Sequence, residues 1–289
     1  MRNDLRHINH EGTILNLNDK DRYALTESPG AVRGIYGVPT EPVFATIPRK
    51  LPVGIYQANN MIMRGIEFTL TIRGCNAAQV ADNIHTLWDH LWVDVRDDEQ
   101  GTLEYESWNY NLRQITCAVM AGSEGIDEWM GQLVNFESAA RATLNFSCAD
   151  PTFMDDEDDS ANGAFAGVGN VNIACNNLGN ADAYPTIVYD TGAVNVLSEP
   201  QVTDDYGSVL KIDSTSDVAI NTTLTLVSNP QNMSITYSGA PANWFGRRES
   251  AGVMPLLRPG NHNLVFTATN AAANATITVT WRNRWASHG

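Results

Sequence analysis

Residues 148–185 constrain the fold most, because they separate two β-rich segments of the chain. A strand of alternating polarity ends at Asp150-Pro151, five consecutive acids follow at 155–159, and Asn177-Leu178-Gly179-Asn180 with Tyr184-Pro185 opens the next segment. Five like charges repel one another and bury nothing, so the acidic run is predicted to be a solvated linker. A metal site made by these acids is the alternative, although no glycine turn spaces them as ligands.

The chain is therefore predicted to contain two domains, residues 1–154 and residues 166–289, joined by an acidic linker over 155–165. Its 289 residues suit one large or two medium domains, and 43% hydrophobic with 18% charged residues is a globular composition. The first residues contain no apolar core of signal-peptide length, and no segment reaches the apolar length of a membrane span. We expect a protein made in a cytoplasm, with no membrane partner.

The first segment contains strands and one amphipathic helix. Apolar and polar side chains alternate over residues 66–73, which is typical of a strand with one buried face. Asn76 is a suitable N-cap with Gln79 three residues later, and apolar residues then recur at helical spacing, so a helix is predicted over about 77–91. The fold expected for residues 1–154 is α+β, with one main helix covering a mostly antiparallel sheet.

The second segment shows no helical pattern. Seven short stretches of alternating polarity, separated by turns rich in Gly, Pro, Asn and Asp, predict a β-sandwich over residues 166–289, so the whole chain is expected to be mostly β. Small sandwiches often bind sugars by stacking and fixed hydrogen bonds. The candidate outer-domain contact residues are Trp244, Arg247, Arg248 and His262, with Asn261 beside them; the alternative is that they are ordinary loop and edge residues.

Apolar residues do not recur at a regular spacing between Pro29 and Gly65, because prolines and glycines interrupt this stretch repeatedly. It can hold only short edge-like pieces. Long irregular segments of compact domains are often functional or pack on another chain. One interpretation is an arm that reaches a neighbouring subunit, and the other is a meandering surface loop. The candidate arm residues are Arg33, Tyr36, Phe44, Arg49 and Tyr56.

No catalytic, cofactor or metal motif occurs in the sequence. It lacks a Gly-rich phosphate loop, a His-Glu-x-x-His helix, a Gly-x-Ser-x-Gly elbow and a Cys-x-x-Cys pair. His85 and His90 lie five residues apart on the predicted helix, which does not place them on one face as metal ligands, so both are predicted to be surface imidazoles. The four cysteines are far apart and are expected to be reduced and mostly buried. The sequence gives no reason to predict an enzyme or a cofactor.

The net charge of −15 excludes a typical nucleic-acid-binding surface, which needs basic residues concentrated on one face of the protein. Residues 166–289 contain eight acids and six bases, the acidic run adds five acids, and residues 1–154 supply the remaining net charge of −8. The acidity therefore belongs to the first segment and to the joint.

Several short motifs succeed one another in a recognisable order. They are Ile14-Leu15-Asn16-Leu17-Asn18-Asp19, Arg64-Gly65-Ile66, Gly101-Thr102-Leu103, Cys148-x-Asp150-Pro151, Asn177-x-Gly179, Tyr184-Pro185-Thr186-Ile187, Pro259-Gly260-Asn261 and Trp281-Arg282-Asn283-Arg284-Trp285. This order resembles the siphophage distal tail protein family, called Dit. No single motif is specific, but their succession is.

The resemblance implies a structural virion protein at the tip of a long non-contractile tail. In that family the first domain forms a homo-hexameric ring between the tail tube protein and the hub or tail-associated protein, and DNA passes through the ring without specific binding. The second domain is galectin-like, faces outward and offers a place for receptor-binding or side-fibre proteins. The protein would be located in the virion after assembly in the host cytoplasm.

A ring through which DNA passes favours a negative inner wall, since basic side chains would retain phosphates. We therefore expect most excess acids of residues 1–154, including Asp97, Asp98 and Glu99, to face the lumen. Two other functions stay open at this point. One is a carbohydrate-binding surface module of a virion or cell, and the other is a hydrolase that uses two of the many acids.

Overall fold

The computed structural model describes residues 4–25, 32–35, 40–46, 54–61, 63–107, 110–119, 139–165, 170–192, 196–213, 217–249, 252–269 and 275–286. The chain divides into two compact units. The first comprises Met1–Met154 together with Ala286–Gly289, and the second comprises Asp155–Trp285. No helix among the described residues is long and apolar enough to cross a membrane.

The first unit contains, in chain order, β1 (Asp4–Ile8), β2 (Ile14–Asn16), β3 (Tyr23–Leu25), β4 (Val32–Arg33), β5 (Thr40–Thr46), β6 (Gly54–Met61), β7 (Arg64–Arg73), α1 (Ala77–Asp97), β8 (Gly101–Ser107), β9 (Tyr110–Val119), β10 (Ala139–Cys148) and β11 (Phe153–Asp155). Its main sheet has the strand order β2-β1-β8-β9-β10-β7-β3, and β4 also pairs with β7. All of these pairs are antiparallel.

Alternation of polarity builds the centre of this sheet, as predicted. Every second residue of β7 is buried, and so is every second residue of β10. In the register of the pair, the buried residues Ile66, Phe68, Leu70 and Ile72 of β7 lie opposite Phe146, Leu144, Ala142 and Ala140 of β10. α1 packs on β7, β9 and β10 and covers this apolar face. The expected α+β arrangement, with a helix on an antiparallel sheet, is confirmed.

The helix begins where the sequence predicted and ends six residues later. The Gln79 backbone N–H donates to Asn76 Oδ1 at 2.9 Å, and Gln79 Oε1 accepts from the Cys75 N–H at 2.7 Å, so the cap satisfies donors on both sides. The predicted end near residue 91 is wrong, because the buried stripe continues through His90 and Asp94. Polar residues at buried positions hide such a continuation from a hydrophobic pattern.

β5 and β6 form a two-stranded antiparallel ribbon of their own. The prolines and glycines of this stretch predicted only short edge-like pieces, and this prediction is wrong, since the strands have seven and eight residues. Pro42 lies within β5. It is compatible with the ribbon because each strand of a two-stranded sheet keeps one unpaired edge, where a residue without an N–H is tolerated.

The second unit is a β-sandwich, as predicted. Its elements are β12 (Asp159–Ala164), β13 (Val171–Asn177), β14 (Thr186–Asp190), β15 (Leu197–Ser198), β16 (Gln201–Thr203), β17 (Val209–Lys211), β18 (Asp217–Val218), β19 (Thr223–Val227), β20 (Ser234–Tyr237), a 3-10 turn (Phe245–Arg247), β21 (Gly260–Thr267), β22 (Thr276–Trp281) and β23 (Arg284–Trp285). One sheet has the order β12-β22-β14-β19-β20 and the other β13-β21-β16-β17. Residues of both sheets share one apolar core, including Ile187, Leu226 and Val279 from the first and Val202, Leu264 and Phe266 from the second.

The acidic run belongs to the second unit rather than to a free linker. Trp285 Nε1–H donates to Asp155 Oδ1 at 2.8 Å. Asn283 Nδ2 donates to Asp155 Oδ2 at 3.1 Å and to Asp159 Oδ2 at 2.7 Å, and Asp159 begins β12, which pairs along β22. The expectation of a solvated linker over 155–165 is therefore corrected. Hydrogen bonds from residues far along the chain order these carboxylates, and no local pattern reveals such partners.

Candidate functional site

The candidate arm residues lie only partly within the described chain. Arg33, in β4, is exposed, and its Nη1 lies 3.6 Å from a Glu67 carboxylate oxygen. Phe44 and Tyr56 lie opposite each other in the β5–β6 register, next to an irregularity of the ribbon. The other two, Tyr36 and Arg49, fall outside the described residues. The structure thus brings Phe44 and Tyr56 together, and their contact with another subunit stays a prediction.

Arg64 is a long charged side chain that is only 2% exposed in the first unit, and it begins β7. Its guanidinium donates to four carbonyl oxygens: those of Pro151 at 2.7 Å, Ala286 at 2.5 Å, Ile35 at 3.4 Å and Gly34. Burial lowers the pKa of Arg64 from its usual value. The guanidinium also lies over the Phe153 ring, with Cζ 5.0 Å from the ring centroid. One side chain therefore joins three segments that are distant in sequence.

The close approach of β4 to β7 requires a glycine at position 34. Gly34 has a φ of +78°, and a Cβ there would overlap the carbonyl oxygen of Gly65. The same close approach places the Gly34 carbonyl on the Arg64 guanidinium.

The predicted lumen acids Asp97, Asp98 and Glu99 lie together at the end of α1, and all three are exposed. Asp98 closes the helix in the left-handed region, with φ 54° and ψ 41°, and its N–H donates to the Asp94 carbonyl. Arg96 donates to both carboxylate oxygens of Asp97, at 2.7 and 2.6 Å, which lowers the pKa of Asp97. Acids at a helix C-terminus oppose the helix dipole, so helix stability does not explain this placement.

A buried network of imidazoles and one carboxylate lies at the same end of α1. His90 Nε2 is 3.0 Å from His7 Nδ1 and 3.2 Å from the His7 carbonyl oxygen, so His90 Nε2–H donates and His7 carries its own proton on Nε2. That nitrogen lies 3.5 Å from Asp94 Oδ2. Asp94 Oδ1 accepts from the His10 backbone N–H at 2.8 Å and from His10 Nδ1–H at 2.9 Å. The network therefore connects β1 and the following turn to the helix.

Burial determines the charge of these imidazoles. It lowers the pKa of His7 to about 4 and also lowers the pKa of His90, so both are neutral near pH 7. The hydrogen bond to Asp94 instead raises the pKa of His10, at the surface. The prediction that His90 is a surface imidazole is wrong, because its ring is buried against His7, whereas His85 is exposed as predicted.

The four cysteines are free thiols. Cys75 is exposed, and Cys117, Cys148 and Cys175 are buried. Burial raises the pKa of Cys148 and of Cys175 to about 12, so these thiols are protonated and unreactive at neutral pH.

The four candidate contact residues of the second unit fall into two separate groups. Trp244 is 2% exposed and packs against Tyr237, with the ring centroids 4.3 Å apart. Arg247 lies over the Trp244 ring, and Arg248 lies over Phe245 and donates to the Gly252 carbonyl. The expectation of Trp244 as an outward contact is corrected, because this side chain belongs to the core. A shallow groove of about 450 Å³ lies beside this group, lined by Met233, Ser234, Ile235, Thr236, Ala242, Asn243 and Phe245.

His262 belongs to the second group and is also buried. Its Nε2–H donates to the Arg258 carbonyl at 2.6 Å, and its Nδ1 lies 3.3 Å from Asp205 Oδ2. The exposed ring of this group is Tyr206, which sits under the Arg258 guanidinium with Cζ 4.0 Å from its centroid. The expected sugar patch of Trp244 with His262 is therefore not assembled.

Comparisons with known proteins bear on the fold. No protein-family model matches the sequence, and a search of curated proteins found no match. Among solved structures, the chain is similar to the SPP1 Dit protein (gp 19.1), described as a paradigm of the hub adsorption apparatus in phages that infect Gram-positive bacteria. The TM-score is 0.64 at 17% identity, and the match covers 98% of this chain and 99% of that chain.

The phage P2 baseplate in its activated conformation provides further matches. With Ca the TM-score is 0.50 at 9% identity, covering 98% of each chain. With Sr it is 0.50 at 10% identity, covering 96% of this chain and 98% of that chain. At such identities the likeness concerns the fold, and it spans both units. The resemblance found in the sequence motifs is thus confirmed for the fold.

Proposed function

We propose that this chain is a structural protein of a phage tail tip, and that its first unit forms a homo-hexameric ring. The ring would join the tail tube protein to the hub or tail-associated protein of a long non-contractile tail. The second unit would face outward and offer an attachment point for receptor-binding or side-fibre proteins. The location would be the virion, after assembly in the host cytoplasm.

One observation carries this proposal: the fold shared with the SPP1 Dit protein runs through 98% of this chain and 99% of the other. A likeness restricted to the sandwich would have fitted a free sugar-binding module equally well. Here the first unit, with its sheet, helix and separate ribbon, is part of the match. The ribbon adds support, since a two-stranded sheet has unpaired edges and gains stability by packing on another surface.

The ring is tested by imaging the purified protein. We expect negative-stain images to show a ring with a central hole, and light scattering to give about six times the 31.6 kDa of one chain. The double variant Phe44→Ser/Tyr56→Ser, which changes facing residues of the ribbon, is expected to shift the protein to a monomer.

The matched control is Leu178→Ser, which replaces an apolar residue of the second unit that is 63% exposed. This variant is expected to keep the ring. A monomeric wild-type protein would refute the proposed ring, whereas a ring that survives the ribbon variant would refute only the role of the ribbon.

The acidic run belongs to the second unit, so the excess acids of the chain are not concentrated in the first unit. Residues 1–154 hold 20 acids and 12 bases, and residues 155–285 hold 13 acids and 6 bases, so the units carry similar net charges of −8 and −7. The charge asymmetry expected from the sequence is therefore lost. What supports a negative bore is local, namely three consecutive exposed acids at the end of α1, where they oppose the helix dipole.

Binding of DNA to charge-reversed variants tests whether Asp98 and Glu99 line the lumen of the ring. We expect Asp98→Lys/Glu99→Lys to bind double-stranded DNA about tenfold more tightly than wild type at low salt, because each lysine adds a phosphate contact. The control Asp156→Lys/Glu157→Lys reverses two exposed acids of the second unit and gives the same net charge. Gel-shift titration compares the two. Equal DNA binding by both variants would show that Asp98 and Glu99 do not face the lumen.

A further inference from the structure

Two neighbouring strands of the second unit present a group of side-chain amides to solvent. Asn176 of β13 lies directly opposite Asn261 of β21, and Asn263 follows two residues later on the same exposed side of β21. None of these three side-chain amides makes a hydrogen bond with another described residue. The residue opposite Asn263 is Ala174, whose short side chain leaves the amides accessible.

The stability of the sheet does not explain these amides. Asparagine is depleted in strands, because its side chain competes for backbone hydrogen bonds and packs poorly on a pleated surface. Asn177, at the end of β13, has a structural role, since its Nδ2 donates to the carbonyls of Ala181 and Leu257. The exposed amides have no such role among the described residues. Side chains that oppose the local preference without a structural partner are expected at functional positions.

A second observation comes from the turn between β16 and β17, which holds an exposed aromatic ring beside the amides. Tyr206 is 49% exposed, and the Arg258 guanidinium stacks on its ring, with Cζ 4.0 Å from the centroid. Neither the Tyr206 hydroxyl nor the Arg258 guanidinium makes a hydrogen bond with another described residue. Asp205 Oδ2 accepts from the Asn263 backbone N–H at 2.9 Å, which places this turn against β21.

Buried side chains fix the ring and the guanidinium in position. Asp204 Oδ1 accepts from the Tyr206 N–H at 2.9 Å and from the Ser208 N–H at 2.8 Å, and Asp204 is buried. The buried His262 donates from Nε2–H to the Arg258 carbonyl at 2.6 Å. Groups that are already ordered lose little conformational freedom when a ligand binds, so this arrangement favours binding.

We propose that the second unit binds a neutral saccharide through five exposed side chains, those of Tyr206, Arg258, Asn176, Asn261 and Asn263. An aromatic ring packs against the apolar face of a sugar, while amides and a guanidinium form hydrogen bonds with its hydroxyl groups. Asp205 in the same turn, and 13 acids against 6 bases in residues 155–285, oppose an anionic polymer. The site lies within the second unit and does not depend on the ring.

Binding of the labelled full chain to immobilised oligosaccharides at neutral pH tests the site. The probes are neutral oligomers of glucose, galactose and N-acetylglucosamine, with poly(glycerol phosphate) as the anionic probe. We expect binding to at least one neutral oligomer. Tyr206→Leu should weaken this binding at least about tenfold, because the ring is lost, whereas Tyr206→Phe should keep most of it. Asn263→Ala should weaken it about fivefold through a lost hydrogen bond.

The matched control is Phe245→Leu, which replaces the aromatic ring of the shallow groove in the same unit and should leave binding unchanged. Circular dichroism of each variant shows whether it is folded. Absence of binding to every neutral oligomer would overturn the site, and so would undiminished binding by Tyr206→Leu. Binding to poly(glycerol phosphate) alone would overturn the ligand class.

Light scattering of the same samples separates the site from the ring. A hexamer that binds no saccharide would refute the site and leave the proposed ring intact. A monomer whose saccharide binding depends on Tyr206 would support the site and refute the ring.

Discussion

Replacing Arg64 by methionine is expected to destabilise the first unit by about 3–5 kcal/mol, the largest effect we predict for a single substitution. The variant keeps a long side chain but leaves the buried carbonyls of Pro151, Ile35 and Ala286 without this donor. Each buried acceptor that loses its partner costs about 1–3 kcal/mol, and removing the burial cost of the guanidinium offsets part of the sum. Thermal unfolding should show the melting temperature of this unit about 10 °C lower.

Arg64→Lys tests whether the shape of the guanidinium, and not only its charge, stabilises the first unit. Lysine keeps the charge, but a single ammonium cannot form the fork that reaches carbonyls on three segments, so most of the destabilisation should remain. Arg22→Met is the matched control, because Arg22 is half exposed and pairs with Asp19 on the surface. It is expected to change stability by less than about 1 kcal/mol. A similar melting temperature for Arg64→Met and Arg22→Met would contradict the role given to Arg64.

The sequence predicted those parts of the fold in which side-chain polarity follows the period of the element. Ile66, Phe68 and Leu70 alternate with polar neighbours and fill the sheet, and Asn76 caps the helix as its spacing with Gln79 indicates. In the second unit the stretches of alternating polarity at 186–191, 209–213, 223–227, 234–238 and 275–281 each contain a strand. Local chemistry is sufficient for these elements, because burial and capping act within a few residues.

The prediction failed where polar residues occupy buried positions. His90 and Asp94 continue the buried face of α1, but their partners His7 and His10 lie more than 80 residues away along the chain. Arg64 has partners up to 222 residues away. Such residues interrupt a hydrophobic pattern and look like surface positions until the fold supplies their hydrogen bonds. β1 was missed for the same reason, since its inward residues include His7.

Acidification is expected to destabilise the first unit through His7. Burial lowers the pKa of His7 to about 4 in the folded chain, against about 6.5 in an unfolded one, so between these values the unfolded chain binds a proton that the folded chain does not. The contribution of His7 to the free energy of unfolding is therefore fully present above pH 6.5. It decreases as the pH drops towards 4, by about 3 kcal/mol in total. The lowered pKa of His90 acts in the same direction.

Two groups near His7 modify this dependence. Asp94, 3.5 Å from its Nε2, favours the protonated ring, but burial and the neighbouring His90 ring outweigh that attraction. His10 acts in the opposite direction, because its raised pKa contributes stability that is lost as the pH rises. Its exposure to solvent keeps that contribution small.

Urea unfolding from pH 7.5 to 4.5, in the presence of a chelator, measures the effect. His7→Gln removes the titrating ring, so its stability should fall less steeply with acid than that of wild type, even if it is lower at neutral pH. His85→Gln, on the exposed face of the same helix, should follow the wild-type slope. Parallel slopes for wild type and His7→Gln would show that His7 is not the group that titrates. A histidine resonance that titrates near pH 4, and that is absent in His7→Gln, would assign the titrating group directly. Such a low pKa is expected because burial disfavours the charged form of the ring.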